Sequence, residues 1–156
     1  MSKKFELTSN FKVFLGRKLF QIKALVSFGD VKEGDLGGYI EKEENLSHDG
    51  NAWVYDNAKV CGNAEVFDNA KVCGNAWVCG DAWVCGDADY TTVKGFGIEF
   101  RTTTFFKCKD GVTRVKCGCF YGDLGEFREQ VKNTRSGKIA EEYLMIADLI
   151  EKHFKE

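Results

Sequence analysis

Between Val54 and Asp89 the apolar positions recur with a period of six. VYDNAK, VCGNAE, VFDNAK, VCGNAW, VCGDAW and VCGDAD follow one another without a gap. Valine opens each unit, at Val54, Val60, Val66, Val72, Val78 and Val84, and alanine holds the fifth place, at Ala58, Ala64, Ala70, Ala76, Ala82 and Ala88. Asp or Gly fills the third place and Asn or Asp the fourth. GNAW at 50–53 begins the pattern one unit earlier, with His48 where a valine is expected. A fixed short period predicts a solenoid, in which each unit hides its apolar face by stacking on its neighbours. Six-residue units suit a triangular β-helix: each supplies a short strand and a corner, and three make a coil. The small polar residues tolerate the backbone angles of the corner. Valine and alanine then point inward, and strands stack at about 4.8 Å. A pentapeptide period is absent.

The residues flanking each valine point outward in this register. One face carries Trp53, Tyr55, Lys71 and Cys73; the next Lys59, Cys61, Trp77 and Cys79; the third Glu65, Phe67, Trp83 and Cys85. So much aromatic surface is rarely left open on a soluble monomer. Trp53, Tyr55, Phe67, Trp77 and Trp83 are therefore expected at a subunit interface or beneath the flanking segments, with a ligand-stacking surface as the alternative.

The flanks read differently. Residues 1–47 are expected to cap the repeat of 48–90. KKFEL and RKLFQIKAL have strand character, separated by a polar break at Thr8–Asn10, and the Gly37–Gly38 pair reads as a tight corner. That pair lacks the strand–glycine–helix order and Lys-Ser/Thr of a phosphate loop. Residues 91–156 read as a ββαα module. A type I′ turn is expected at Asp110–Gly111. It would set Lys107 opposite Arg114, Phe105 opposite Lys116 and Thr104 opposite Cys117. One hairpin face then carries Arg101, Phe105, Lys107, Arg114 and Lys116, and the other Thr102, Thr104, Phe106, Val115, Cys117 and Cys119. A first helix from about Asp123 buries Leu124, Phe127 and Val131. A second, near Lys138–Phe154, repeats Ile139, Tyr143, Ile146, Ile150 and Phe154 at helical spacing.

Composition narrows the setting. Hydrophobic residues make up 44% of 156, which excludes a disordered chain, and a net charge of −2 gives no general drive toward nucleic acid or membrane. No run reaches the length of a membrane span and MSKKFELTSN lacks a signal-peptide core, so a cytoplasmic protein is expected. Seven cysteines, an odd number without a C-x-x-C pair, fit that compartment.

GDVKEGDLGGYIEKEENLSHDGNAWVYDNAKV, RTTTFFKCKDGVTRVKCGCF and the closing AEEYL helix together resemble small uncharacterised proteins of phages, prophages and gut bacteria, labelled only as hexapeptide-repeat or polymer-forming. The resemblance spans nearly the whole chain. It implies a left-handed parallel β-helix (hexapeptide solenoid), assembled as a homotrimer and encoded by a mobile element. With the N-terminal β cap and the ββαα module read from the flanks, a mainly β protein is expected. It implies no catalytic residue.

Hexapeptide β-helices include acyltransferases, which need a histidine base beside an acyl-donor groove. Here only His48 and His153 exist, and His48 sits where the repeat starts. A carbonic-anhydrase site needs three histidines on one zinc. Cys61 with Cys79, and Cys117 with Cys119, are candidate thiol ligands, but no four-ligand set is visible and free cysteine commonly packs as a small hydrophobe. Arg101, Phe105, Lys107, Arg114 and Lys116 are the candidate ligand site: cations around an aromatic ring suit phosphate capture with base stacking. The competing reading is a plain strand face. Together these features point to a non-enzymatic homo-oligomer without cofactor or metal, and the resemblance implies an accessory role. The resemblance implies a counter-defence role, by binding a host protein or sequestering a nucleotide-like anion. The alternative is a hexapeptide-repeat acyltransferase using an acyl-coenzyme A donor.

Overall fold

The computed structural model describes residues 3–155. Its longest strands are β1 (Phe5–Phe14) and β2 (Arg17–Ala24), an antiparallel hairpin. Leu15 and Gly16 turn it with φ of 48° and 78°, the left-handed pair of a two-residue primed turn. The polar stretch Thr8–Asn10 does not break the strand as expected. It lies inside β1, where the register slips between Leu7 and Phe11, and Thr8 Oγ1 donates to the Gln21 carbonyl at 2.8 Å.

Strand β3 (Leu36–Ile40) pairs antiparallel with β2 and parallel with the repeat on its other edge. The expected glycine corner is therefore part of a strand. A Cβ at Gly37 would lie 2.6 Å from the Val54 carbonyl oxygen, and one at Gly38 2.6 Å from that of Ala58. The glycines are there because two backbones meet.

The repeat supplies six two-residue strands: β4 (Trp53–Val54), β5 (Lys59–Val60), β6 (Glu65–Val66), β7 (Lys71–Val72), β8 (Trp77–Val78) and β9 (Trp83–Val84). Each pairs in parallel with the strand three repeats on: β4 with β7, β5 with β8, β6 with β9. All six repeat valines are fully buried, as are the alanines from Ala58 to Ala82. Ala88 is exposed instead, because a 3-10 turn at Asp87–Asp89 ends the pattern. In five of the six units the third residue (Asp56, Gly62, Asp68, Gly74, Gly80) has positive φ, between 55° and 66°, which favours Asp and Gly there; Gly86, in the sixth, is extended.

The expected left-handed parallel β-helix is corrected by this topology. Among the described residues the chain is mainly β with several small separate sheets (one mixed, one antiparallel and two parallel pairs) and two C-terminal helices. The physical reason lies in how little parallel pairing the repeat supplies. Its rungs are two residues wide and give three parallel pairs, of which β4–β7 and β6–β9 remain two-stranded. Strands β5 and β8 join β1–β2–β3, whose longer pairings are antiparallel.

The C-terminal sheet is antiparallel, in the order β10 (Tyr90–Val93), β11 (Thr103–Lys107), β12 (Thr113–Cys117), β13 (Phe120–Asp123), so the expected hairpin gains a strand on each side. Asp123 caps α1 (Leu124–Thr134): its Oδ1 accepts the Glu126 N–H at 2.8 Å while Glu126 Oε1 accepts the Asp123 N–H. Helix α2 (Gly137–Phe154) packs on α1, and Arg128 bonds Asp148 and Glu151 across the pair. Two buried clusters result among the described residues. Phe105, Val115, Leu124, Phe127, Val131, Tyr143, Ala147 and Ile150 form the C-terminal one. Phe106 and Cys108 belong instead to the cluster of the repeat and N-terminal strands, so β11 packs against both. No helix among the described residues is long and apolar enough to cross a membrane.

Candidate functional site

The β11–β12 turn decides where the basic residues go. Gly111 donates to the Cys108 carbonyl at 2.9 Å and Cys108 N–H reaches the Val112 carbonyl at 3.2 Å, with Gly111 at φ 81°. This is a three-residue loop, Lys109–Asp110–Gly111, closed by a glycine bulge, and not the expected two-residue turn. The register therefore sets Lys107 opposite Thr113, Phe105 opposite Val115 and Thr104 opposite Lys116. A one-residue slip transfers every side chain of one strand to the other face.

The five hairpin residues consequently do not share one open face. Phe105 is fully buried, edge-on to Phe127 with ring centroids 5.9 Å apart. Lys116 is buried on the repeat side, its Nζ 4.4 Å above the Trp77 ring. Arg114 bonds Asp110 at 2.9 Å. Lys107 stands 3.9 Å from Asp89. Arg101 is exposed and paired with Glu99.

The aromatic residues expected at an interface are largely taken up within the chain. Trp53 is buried between Phe5 and Phe28. Trp77 is half-buried: Lys59 and Lys116 lie over its ring and Phe14 packs on its edge. Tyr55 is half-buried against the core. Trp83 remains 48% exposed, with Phe67 5.7 Å away.

His48 ties the N-terminal strand to the repeat. Its ring stacks on Phe5 at 4.2 Å, Nδ1 accepts the Lys4 backbone N–H at 3.0 Å, and Nε2 lies 3.0 Å from Glu43 Oε1. With Nδ1 accepting, Nε2 carries the proton and donates to Glu43. Hydrogen bonds from Lys3 and then His48 hold the Glu43 carboxyl below its ordinary value. The neutral ring thus has no free lone pair for a substrate. Beside it, Leu46, Ser47, Glu65 and Phe67 border an open depression of about 580 Å³. His153 is exposed near the end of α2.

A second groove lies within the C-terminal module. It encloses about 280 Å³ between the 96–101 segment, the end of β12 and helix α1. Phe96, Phe120, Phe127 and Tyr143 supply aromatic walls, Cys117 and Cys119 a sulfur edge, and Arg101 and Arg135 two guanidinium groups. Both arginines are exposed. Gly97, at φ 79°, lets the backbone pass the Tyr143 hydroxyl, where a Cβ would sit 2.6 Å away. Burial pushes the Tyr143 phenol up from its ordinary value. Of the five hairpin residues predicted as a ligand site only Arg101 is here, together with the candidate thiols Cys117 and Cys119. Phe96, Arg135 and Tyr143 were missed; the one available signal was Phe96 between two glycines in KGFGIEF. Among the described residues no three His, Cys, Asp or Glu side chains gather as metal ligands.

No protein-family model matches the chain. It is similar to "Uncharacterized acetyltransferase YdcK" of Escherichia coli (strain K12), 47% identical over 38 residues. That stretch is 24% of this chain and 12% of the Escherichia coli protein, so the match spans a small part of either.

Proposed function

We propose that this chain is a non-catalytic binding protein that takes a small anion with a flat apolar part, such as a nucleotide, into the C-terminal groove. The observation that carries this is the placement of Arg101 and Arg135 on the rim of an aromatic-walled groove. A guanidinium matches phosphate in two-pronged fashion, and an aromatic wall offers a base a face to stack on. Recruiting Arg101 requires it to leave Glu99, an exposed pair of the kind worth about 0–1 kcal/mol or less. We place the homotrimer expected from the sequence on the edge that carries Phe67 and Trp83, which light scattering of the wild type and of Trp83→Glu addresses.

The binding test is a thermal-shift screen of nucleoside mono-, di- and triphosphates. The reading expects a stabilising nucleotide whose effect weakens with salt. The shift should vanish in Arg101→Glu/Arg135→Glu, whose melting temperature without ligand should match wild type. A ligand indifferent to both charges would refute it.

Acyl transfer is the second reading, and the similarity to a protein named an acetyltransferase favours it. The same similarity lends no support to a phage counter-defence role. Against catalysis stands His48, whose two ring nitrogens are both engaged. Incubation with acetyl coenzyme A and a thiol reagent separates the readings. Thioester turnover that is lost in His48→Asn selects the enzyme.

A further inference from the structure

On the side of the repeat facing the β1–β2 turn and the C-terminal sheet, two cysteines from adjacent parallel rungs meet. Val60 pairs with Val78, and the Cys61 N–H donates to the Val78 carbonyl at 3.0 Å, which sets Cys61 beside Cys79 on the same face. Parallel neighbours have Cα atoms roughly 4.8 Å apart, within the span a disulfide bridges, about 4.4–6.8 Å. Both thiols line a cavity of about 230 Å³ shared with Arg17, Trp77, Lys116 and Tyr121.

The surroundings distinguish the two sulfurs. Cys61 Sγ accepts the Trp77 indole N–H at 3.4 Å. The neighbouring Cys79 thiol, with the Trp77 bond and the charge of Arg17, brings Cys61 down to about 7, against burial and the charge of Glu41. Cys79 is pushed strongly upward by its Cys61 neighbour, then by burial. The exposed Cys85 gives a contrast: its thiol donates to Asp89 at 3.1 Å, which holds it protonated.

We propose that Cys61 and Cys79 are a peroxide-oxidisable dithiol, with Cys61 the attacking thiolate and Cys79 the resolving thiol. The Cys61 sulfur attacks one oxygen of hydrogen peroxide; the O–O bond breaks and hydroxide leaves, taking up a proton to become water. Cys61 is then a sulfenic acid. Cys79 gives up its proton and attacks the Cys61 sulfur, and the hydroxyl departs as a second water. Two thiols are oxidised by two electrons, one peroxide is reduced, and a Cys61–Cys79 disulfide remains. The cavity admits an oxidant of this size. Arg17, itself paired with Glu41 at 2.9 Å, supplies positive charge beside Cys61, and Lys116 supplies it beside Cys79.

The test treats the full chain with one equivalent of hydrogen peroxide, blocks remaining thiols with N-ethylmaleimide and maps cysteines by mass spectrometry. The expected product is a Cys61–Cys79 cross-link formed before Cys73, Cys85 or Cys119 is modified. Cys79→Ser should trap Cys61 as a sulfenic acid that dimedone labels. Trp77→Phe, which removes one hydrogen bond to the thiolate, should slow the reaction about fivefold. Should Cys79→Ser fail to fold, the wild-type map decides alone. Oxidation that spares this pair while consuming the exposed cysteines, or that links any other pair, overturns the proposal.

Discussion

Lys116 Nζ lies 4.4 Å above the Trp77 ring, and in the same contact the Trp77 backbone N–H donates to Thr104 Oγ1 at 2.9 Å. Through these residues the C-terminal sheet closes onto the repeat. A cation over a half-buried indole contributes about 1 kcal/mol. Lys116→Glu should therefore lower unfolding free energy by about 3 kcal/mol, because an unpaired carboxylate would enter a buried site. Lys107→Glu, at a half-exposed position, should change it by less than about 1 kcal/mol. Urea denaturation of the two variants checks the contrast; equal losses would contradict the docking described here.

Lys4 makes stability depend on pH. Its side chain is buried, donates to the Ala52 carbonyl at 2.7 Å and lies over Phe28, and burial lowers its pKa from 10.5 to about 8. Between those values the unfolded chain still holds the proton and the folded chain has released it, so stability rises with pH. The gain amounts to about 3 kcal/mol at most across that window. Denaturation series from pH 7.5 to 10 on wild type and Lys4→Met isolate the effect. The wild type should gain stability relative to the variant, and parallel curves would refute it.

Gly37 marks the closest approach of β3 to the repeat. A methyl group there meets the Val54 carbonyl oxygen, Ile22 Cγ1 and Trp53 Cζ2, all within 2.8 Å. Two of those are a backbone and an indole that cannot swing away. Gly37→Ala should cost about 2–3 kcal/mol, as overpacking does. Gly86→Ala, which meets nothing within 4 Å, is the control expected to be near neutral. Thermal melts of both variants report the difference.

The inward valines were legible because their spacing repeats without interruption, and Leu124, Phe127 and Val131 because helical spacing marks one face. Ala88 was misread since nothing in VCGDAD signals that a 3-10 turn ends the pattern there. The mixed sheet was hidden by Thr8–Asn10, whose polar side chains read as a strand end but sit at a register slip. At the hairpin, Asp110–Gly111 serves a two- or three-residue loop equally well on paper. The choice depends on Lys109 N–H reaching the Asp81 carbonyl at 3.0 Å, a contact between distant segments. The groove was least legible, because Phe96, Arg135 and Tyr143 come from a loop, a helix end and a helix face that only folding brings together.

The central claim is that the C-terminal groove holds a nucleotide-like anion. Backbone and aromatic-ring NMR of the wild type, titrated with the most stabilising nucleotide from the screen, tests it most directly. The account predicts the largest shift changes at Phe96, Gly97, Arg101, Arg135 and the Tyr143 ring, with the His48 depression and the Trp77 side chain undisturbed. Perturbations centred on His48 and Phe67, or spread over Trp77 and Trp83 with the groove silent, would contradict it.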